Sequence, residues 1–268
     1  MPMVAADPRF PGHAAPGRAM KSAQPPADLA EVQARGSVHA GMAVPGPEHV
    51  AIAAPQPETL VTDGVRSLEV RWIFPGQLEA AVARWFGRFP AGVESREDTY
   101  LLDPPLRRLS VKIRGGEALE VKAYHGSPGI LDVPGRARGR MEDWQKWSYL
   151  CGPLSQDTAA PACWRPVRKR RRINRFSLAG GQIVVRAPRG GHEPKCEVEL
   201  TEIRTPEEDW WSLGFEATGA AGLLRTALEA TAALVFAQAL PGAMEPGPAE
   251  SRSYAEWLGQ RAAPENSA

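Results

Sequence analysis

Cysteine is scarce in this chain: Cys151, Cys163 and Cys196 are the three in 268 residues, and no two form a CxxC pair. An odd count without metal-ligand spacing argues against a disulfide framework or a structural zinc site, and reads each as a small buried apolar residue in a reduced compartment. A dominant charge is lacking too. Lys and Arg number 32 against 31 Asp and Glu, so the formal net charge of +1 singles out neither nucleic acid nor membrane. Long apolar runs are missing: residues 230–240 are apolar but too short to cross a bilayer. The opening MPMVAADPRFPGHAAP has no uninterrupted apolar core of a secretory signal. A cytoplasmic chain without a membrane partner is the expectation. P-loop, GxGxxG, GxSxG and HExxH motifs are absent. His125 and His192 sit in Gly/Pro-rich loops, which leaves a Ser/His/Asp triad without a base, and His13, His39 and His49 match no metal spacing. The tryptophans carry no RNP-like or zinc-ligand spacing beside them and read as packing residues; no DNA-binding motif is seen.

What is present begins near Arg66. Residues 1–64 are rich in Ala, Pro and Gly without a sustained apolar period, and read as a disordered tail; Met42 is an alternative start. A folded domain is expected over 65–240, then a linker and short helix over 241–268, the helix opened by the capping box Ser253-x-x-Glu256. Within the domain, 67–74 alternates as a strand, and 77–89 carries Leu78, Ala81, Val82, Trp85 and Phe86 at helical spacing. Three short strands follow, 96–102, 109–114 and 119–124, with a proline break at 103–105 and a glycine turn at 115–116. Residues 125–140 read as a loop, and 141–150 as either strand or helix. A basic strand over 164–176 (WRPVRKRRRINRF), a return strand over 182–186, strands at 196–203 and 210–218, and a long helix over 220–240 complete the domain. Roughly eight strands with mostly short connections make an α+β fold around an antiparallel sheet that can close into a barrel.

Side chains alternate along each strand, so charged residues stand opposite the apolar faces. Glu69, Arg71, Asp98, Lys112, Arg114, Lys122, Arg168, Arg170, Arg172, Glu197, Glu199 and Glu216 form this set. Bases gather on the middle strands, acids on the first and the last two. Converging, they would make a basic wall and an acidic wall, the pairing a polyphosphate with a divalent cation requires. An open sheet with one solvated face shows the same alternation.

The order Glu69-Val-Arg71, Asp98-Thr-Tyr100, Lys112-Ile-Arg114, Leu119-Glu-Val-Lys122, a later Arg-rich strand and a closing acidic strand before a long helix resembles the CYTH superfamily, the triphosphate tunnel metalloenzymes. The resemblance covers residues 66–240. It implies an antiparallel eight-stranded tunnel-like barrel with flanking helices that binds a triphosphate or polyphosphate with Mg²⁺ or Mn²⁺. Arg71, Lys112, Arg114, Lys122, Arg168, Arg170 and Arg172 would hold phosphates. Glu69, Glu197, Glu199 and Glu216 would hold the metal, with Glu69 and Glu199 acting in catalysis. The family's opening Glu-x-Glu-x-Lys reads Ser67-x-Glu69-x-Arg71 here, so one carboxylate is absent. Three readings stay open: a metal-dependent phosphohydrolase, a non-catalytic phosphate- or polyanion-binding module, and an RNA-associated protein using 164–176 on an open face.

Overall fold

The computed structural model describes residues 64–102, 108–151, 163–185 and 194–262. The expected N-terminal tail, the 103–105 turn and the loop holding His192 lie outside the described residues. In chain order the elements are β1 (Val65–Pro75), α1 (Ala80–Phe86), β2 (Gly92–Leu101), β3 (Leu109–Arg114), β4 (Ala118–Val133), β5 (Ala137–Leu150), β6 (Trp164–Ala179), β7 (Gln182–Val185), β8 (Lys195–Arg204), β9 (Asp209–Thr218), α2 (Leu224–Val235) and α3 (Tyr254–Ala262). The sheet runs β2-β3-β4-β5-β1-β9-β8-β6, with β7 added beyond β6. A pairing of β2 with β6, from Gly92↔Ile173 to Leu101↔Trp164, closes the first eight into an antiparallel barrel. The β3–β4 turn is tight because Gly115 and Gly116 both take positive φ, 58° and 77°, at the two central positions of a turn closed by Glu117 N donating to Arg114 O at 3.1 Å.

Closure gives the wall two faces. Outward, Leu68, Val70 and Trp72 of β1, Val198 and Leu200 of β8, and Leu213 and Phe215 of β9 join one buried cluster. The helices cover it. In α2 the buried residues Leu224, Ala227, Leu228, Thr231, Ala232 and Val235 fall on one stripe, and α1 contributes Val82, Trp85 and Phe86. Trp72 meets Phe215 and Phe236 edge-on at 6.2 and 6.0 Å. The larger hydrophobic core therefore lies outside the barrel.

Some local expectations change. Residues 125–140 are not a loop: they continue β4 and begin β5, with register shifts between Tyr124, Gly126 and Gly129 that bend the hairpin. Residues 141–150 are strand. The helix expected over 220–240 is regular only over Leu224–Val235, with a 3₁₀ turn on either side at Ala221–Leu223 and Pro241–Ala243.

The C-terminal segment is stitched into the barrel wall. β1 and β5 pair only from Val65↔Lys146 to Glu69↔Glu142. Beyond that point residues 246–252 bridge them: Ile73 N donates to Glu250 O at 3.0 Å, Arg252 N to Arg71 O at 3.0 Å, Arg138 N to Pro246 O at 2.8 Å, and Arg140 N to Ser251 Oγ at 2.8 Å. The chain then reaches α3, capped by Ser253 Oγ, which accepts from Glu256 N at 3.2 Å. Trp257 and Leu258 are buried with Ile73, Tyr100, Val167 and Ile203 in a second apolar cluster at that end of the barrel.

Leu228 is fully buried at the centre of the α2 stripe. Leu228→Ala is expected to cost about 2–5 kcal/mol of unfolding free energy in urea titration. A loss near zero would show that α2 does not cover the sheet.

Candidate functional site

The interior of the barrel is a cavity of 310 Å³ to which every barrel strand contributes a side chain. Of the residues proposed from the sequence, Glu69, Arg71, Lys112, Arg114, Lys122, Glu197, Glu199 and Glu216 all line it. Alternation places them there: on β1, for example, Leu68, Val70 and Trp72 go to the outer core, so Glu69 and Arg71 point inward.

Arg168, Arg170 and Arg172 are not among them. On β6 the inward residues are Lys169, Arg171, Ile173 and Arg175. Arg168 and Arg170 are exposed and bind outer-face acids: Arg168 Nε lies 2.9 Å from Glu97 and Arg170 Nη1 3.6 Å from Glu202. Arg172 Nη1 donates to Glu202 at 2.8 Å. The parity expected from the sequence is thus reversed on this strand. β6 carries bases on both faces, so periodicity held no apolar marker. Its one fully buried apolar residue near them, Val167, packs at the α3 end of the interior, where apolar residues point inward. Register settles the matter, because Arg172 and Asn174 stand opposite Leu200 and Val198, which face the outer core.

Inside, acids and bases interlock. Glu69 accepts from Lys122 Nζ at 2.6 Å and from Ser67 Oγ at 2.6 Å. Glu216 lies 3.8 Å from Lys122 and 3.5 Å from Lys146. Glu199 takes Arg71 at 3.4 Å, Thr201 Oγ1 at 2.5 Å and Arg171, which also reaches Glu94. Asp98, wholly buried, is 3.0 Å from both Lys169 and Arg96 and 3.4 Å from Lys112. Glu120 lies 2.8 Å from both Lys112 and Arg114. Two features shape the end near α3. Gly214 has no Cβ, and one built there would lie 2.7 Å from Arg71 Cζ, so the glycine makes room for the guanidinium. The Tyr254 ring of α3 then lies 4.8 Å from Arg71 Cζ and 3.9 Å from Lys169 Nζ.

These partners set the titration of the site. Burial alone would raise the carboxyls of Glu120 and Glu216, yet the cations beside them, Lys112 with Arg114 and Lys122 with Lys146, hold both down at about 2. Asp98 and Glu199 are lowered in the same way, against burial, by Lys169 with Lys112 and by Arg71 with Arg171. Burial lowers the Lys169 ammonium despite Tyr100 and Asp98, and raises the Tyr100 phenol to about 12. Glu142 is the exception among the acids. Burial outweighs its bonds from Arg140 and from Trp144 Nε1 (3.1 Å), and its carboxyl is raised.

The carboxylates proposed for Mg²⁺ or Mn²⁺ have the right chemistry for a hard cation but not the arrangement. Glu69, Glu199 and Glu216 are each tied to ammonium or guanidinium groups, and Glu197 to Arg175 at 2.8 Å. Among the described residues no three His, Cys, Asp or Glu side chains come together as a metal-holding group. The residues present do not fit the metal.

The sequence reading missed Glu94, Arg96, Glu120, Lys146, Lys169 and Arg171. Glu120 alternates with Lys122 on β4, and Lys146 with Trp144 and Glu142 on β5, so their parity was available once 141–150 is read as strand. Lys169 and Arg171 needed the register of β6.

The depressed carboxyls make stability pH-dependent. They stay ionised in the folded protein below their ordinary values near 4, so their contribution is complete above that pH and is lost as pH falls toward 2. Urea titrations at successive pH values are expected to show unfolding free energy dropping by a few kcal/mol between about pH 5 and 2. A flat profile would mean that these pairs are solvated in solution.

No protein-family model matches the chain, and no curated protein matches it. Among solved structures the comparison finds the Pct1 RNA triphosphatase of S. pombe. In the complex with the Spt5 CTD the TM-score is 0.33 at 12% identity, over 66% of this chain and 82% of that one. For Pct1 alone it is 0.30 at 13% identity, over 65% and 80%.

Proposed function

We propose that the tunnel binds a linear polyphosphate, a triphosphate or longer chain, as a binding module rather than a metal-dependent hydrolase. The observation that carries the reading is convergence: Arg71, Lys112, Lys122, Lys169 and Arg171, from four strands, line one cavity. Interior ion pairs are a poor way to stabilise a barrel, since desolvation offsets most of their attraction. An eight-stranded barrel is wide enough to be filled by side chains or to hold one small ligand, and a lumen lined by charge favours the second use. The carboxylates keep the cations desolvated and oriented in the empty tunnel. Phosphate oxygens, several to a chain, then take over donors that the carboxylates share. Arg71 and Arg171 offer planar forks for bidentate contacts, and the lysines offer point charges. Catalysis by Glu69 and Glu199 finds no support, because each carboxylate serves as a counter-ion.

A second reading uses the outer face. Arg168, Arg170 and Arg204 line an outside groove of 640 Å³ with Glu97, Glu202 and Asp209, and the exposed arginines could meet an RNA backbone. Arg168 and Arg170 stand exposed on an open face where water and salt screen their charge, which makes it the weaker anion site.

Isothermal titration with tripolyphosphate separates the readings. Lys112→Met and Arg171→Met are expected to weaken binding at least tenfold, about 1.4 kcal/mol, while Arg168→Ala and Arg170→Ala stay within about twofold of the parent. Loss confined to the outer variants, with RNA affinity falling steeply in salt, would favour the second reading. Phosphate release from tripolyphosphate in Mn²⁺ would restore the hydrolase.

A further inference from the structure

We infer that Lys122 and Lys146 together stand in for a divalent cation, so that the tunnel holds polyphosphate without Mg²⁺ or Mn²⁺. The inference rests on the reading of the tunnel as a polyphosphate site and adds how the acidic wall is neutralised. The ladder of β5, β1, β9 and β8 puts glutamates in one row: Glu142 opposite Glu69, Glu69 opposite Glu216, Glu216 opposite Glu197. Like charges directly opposite one another are destabilising, so such a row demands positive charge in the lumen. The ladder of β4 and β5 creates the complementary difficulty, since Lys122 stands directly opposite Lys146. The two solve each other across the cavity. Lys122 Nζ lies 2.6 Å from Glu69 Oε1 and 3.8 Å from Glu216 Oε2, and Lys146 Nζ 3.5 Å from Glu216 Oε1.

Two ammoniums on two carboxylates supply the charge one divalent ion would bring. Each ammonium has three donors and Lys122 makes one short bond to a carboxylate, which leaves N–H groups for phosphate oxygens. The pair thus bridges acidic wall and anion, the task a metal performs by coordination. A metal between Glu69 and Glu216 would have to displace Lys122 from both, and Mg²⁺ in addition demands near-ideal octahedral geometry.

The test is titration of tripolyphosphate into the full-length protein in EDTA and again in Mg²⁺. The parent is expected to bind in EDTA within about threefold of its affinity in Mg²⁺. Lys122→Met and Lys146→Met are expected to lose tenfold or more in EDTA, and Lys146→Arg to retain most of the affinity. Added Mg²⁺ should recover part of the loss in the methionine variants, whose carboxylates are vacated. Binding by the parent only in Mg²⁺, or methionine variants that bind as the parent does in EDTA, would overturn the inference. Absence of binding under both conditions would instead sink the polyphosphate reading. If a single variant does not fold, the pair Lys122→Met with Glu69→Gln removes both charges and carries the same expectation in EDTA.

Discussion

The pairing of β2 with β6 is the constraint on which the rest of the molecule depends. The strands it joins stand at the two ends of an otherwise open antiparallel sheet. An open sheet with this alternation would send its charged face to water, and its arginines and glutamates would be ordinary surface residues. Closure makes that face an interior. It also decides where the main hydrophobic core must go, because a lumen charged along most of its length leaves only its α3 end and the outside of the barrel for apolar burial. Hence α1 and α2 lie on the outer face against Val70, Trp72, Leu213 and Phe215, and the largest apolar cluster surrounds the barrel rather than filling it.

An interior of this kind is held together by stoichiometry more than by any single pair. Isolated buried charges cost several kcal/mol each, and the lumen avoids that by giving most groups more than one partner. Asp98 has three cations around it, Glu120 two, and Arg171 two acids. Shared partners make the network deformable. The anion proposed to bind there would take some donors from each carboxylate without leaving any one bare, which a lumen of exclusive pairs could not permit. Glu142 shows the limit of the arrangement: one guanidinium and an indole N–H do not repay its burial, and its carboxyl is raised where its neighbours' are lowered.

Legibility in the sequence followed the contrast between the two faces of each strand. β1, β3, β4, β8 and β9 have an apolar face and a charged face, so Glu69, Lys112, Lys122, Glu199 and Glu216 could be assigned to one charged face from alternation alone, while only closure makes that face a lumen. β6 has bases on both faces, and Arg168, Arg170 and Arg172 were placed inward when only pairing with β8 could show Lys169 and Arg171 there. β5 was obscured by glycines and arginines at its start, which hid Glu142 and Lys146. The CYTH-like order of motifs was enough for the barrel. It did not convey that the carboxylates of the acidic wall would be occupied by lysines and arginines, because that depends on which strands lie side by side.

The position of Arg71 shows what motif reading cannot reach. Its own strand loses β5 as a partner beyond Glu69, and the C-terminal segment takes over, with Arg252 N bonded to Arg71 O. Gly214, across the ladder on β9, leaves the space its guanidinium fills. Ser212 Oγ accepts from its Nη1 at 3.2 Å, Glu199 supplies the counter-charge, and the Tyr254 ring covers it. These contacts come from β8, β9, the segment before α3 and α3 itself, all more than a hundred residues away in the chain. The short C-terminal helix is therefore not an appendage to the barrel. The segment leading into it, residues 246–252, closes the gap left between β1 and β5, while the helix contributes apolar packing at one end and presents an aromatic face to two of the cations that line the lumen, so the electrostatics of the lumen and the docking of the C-terminus are set by neighbouring residues.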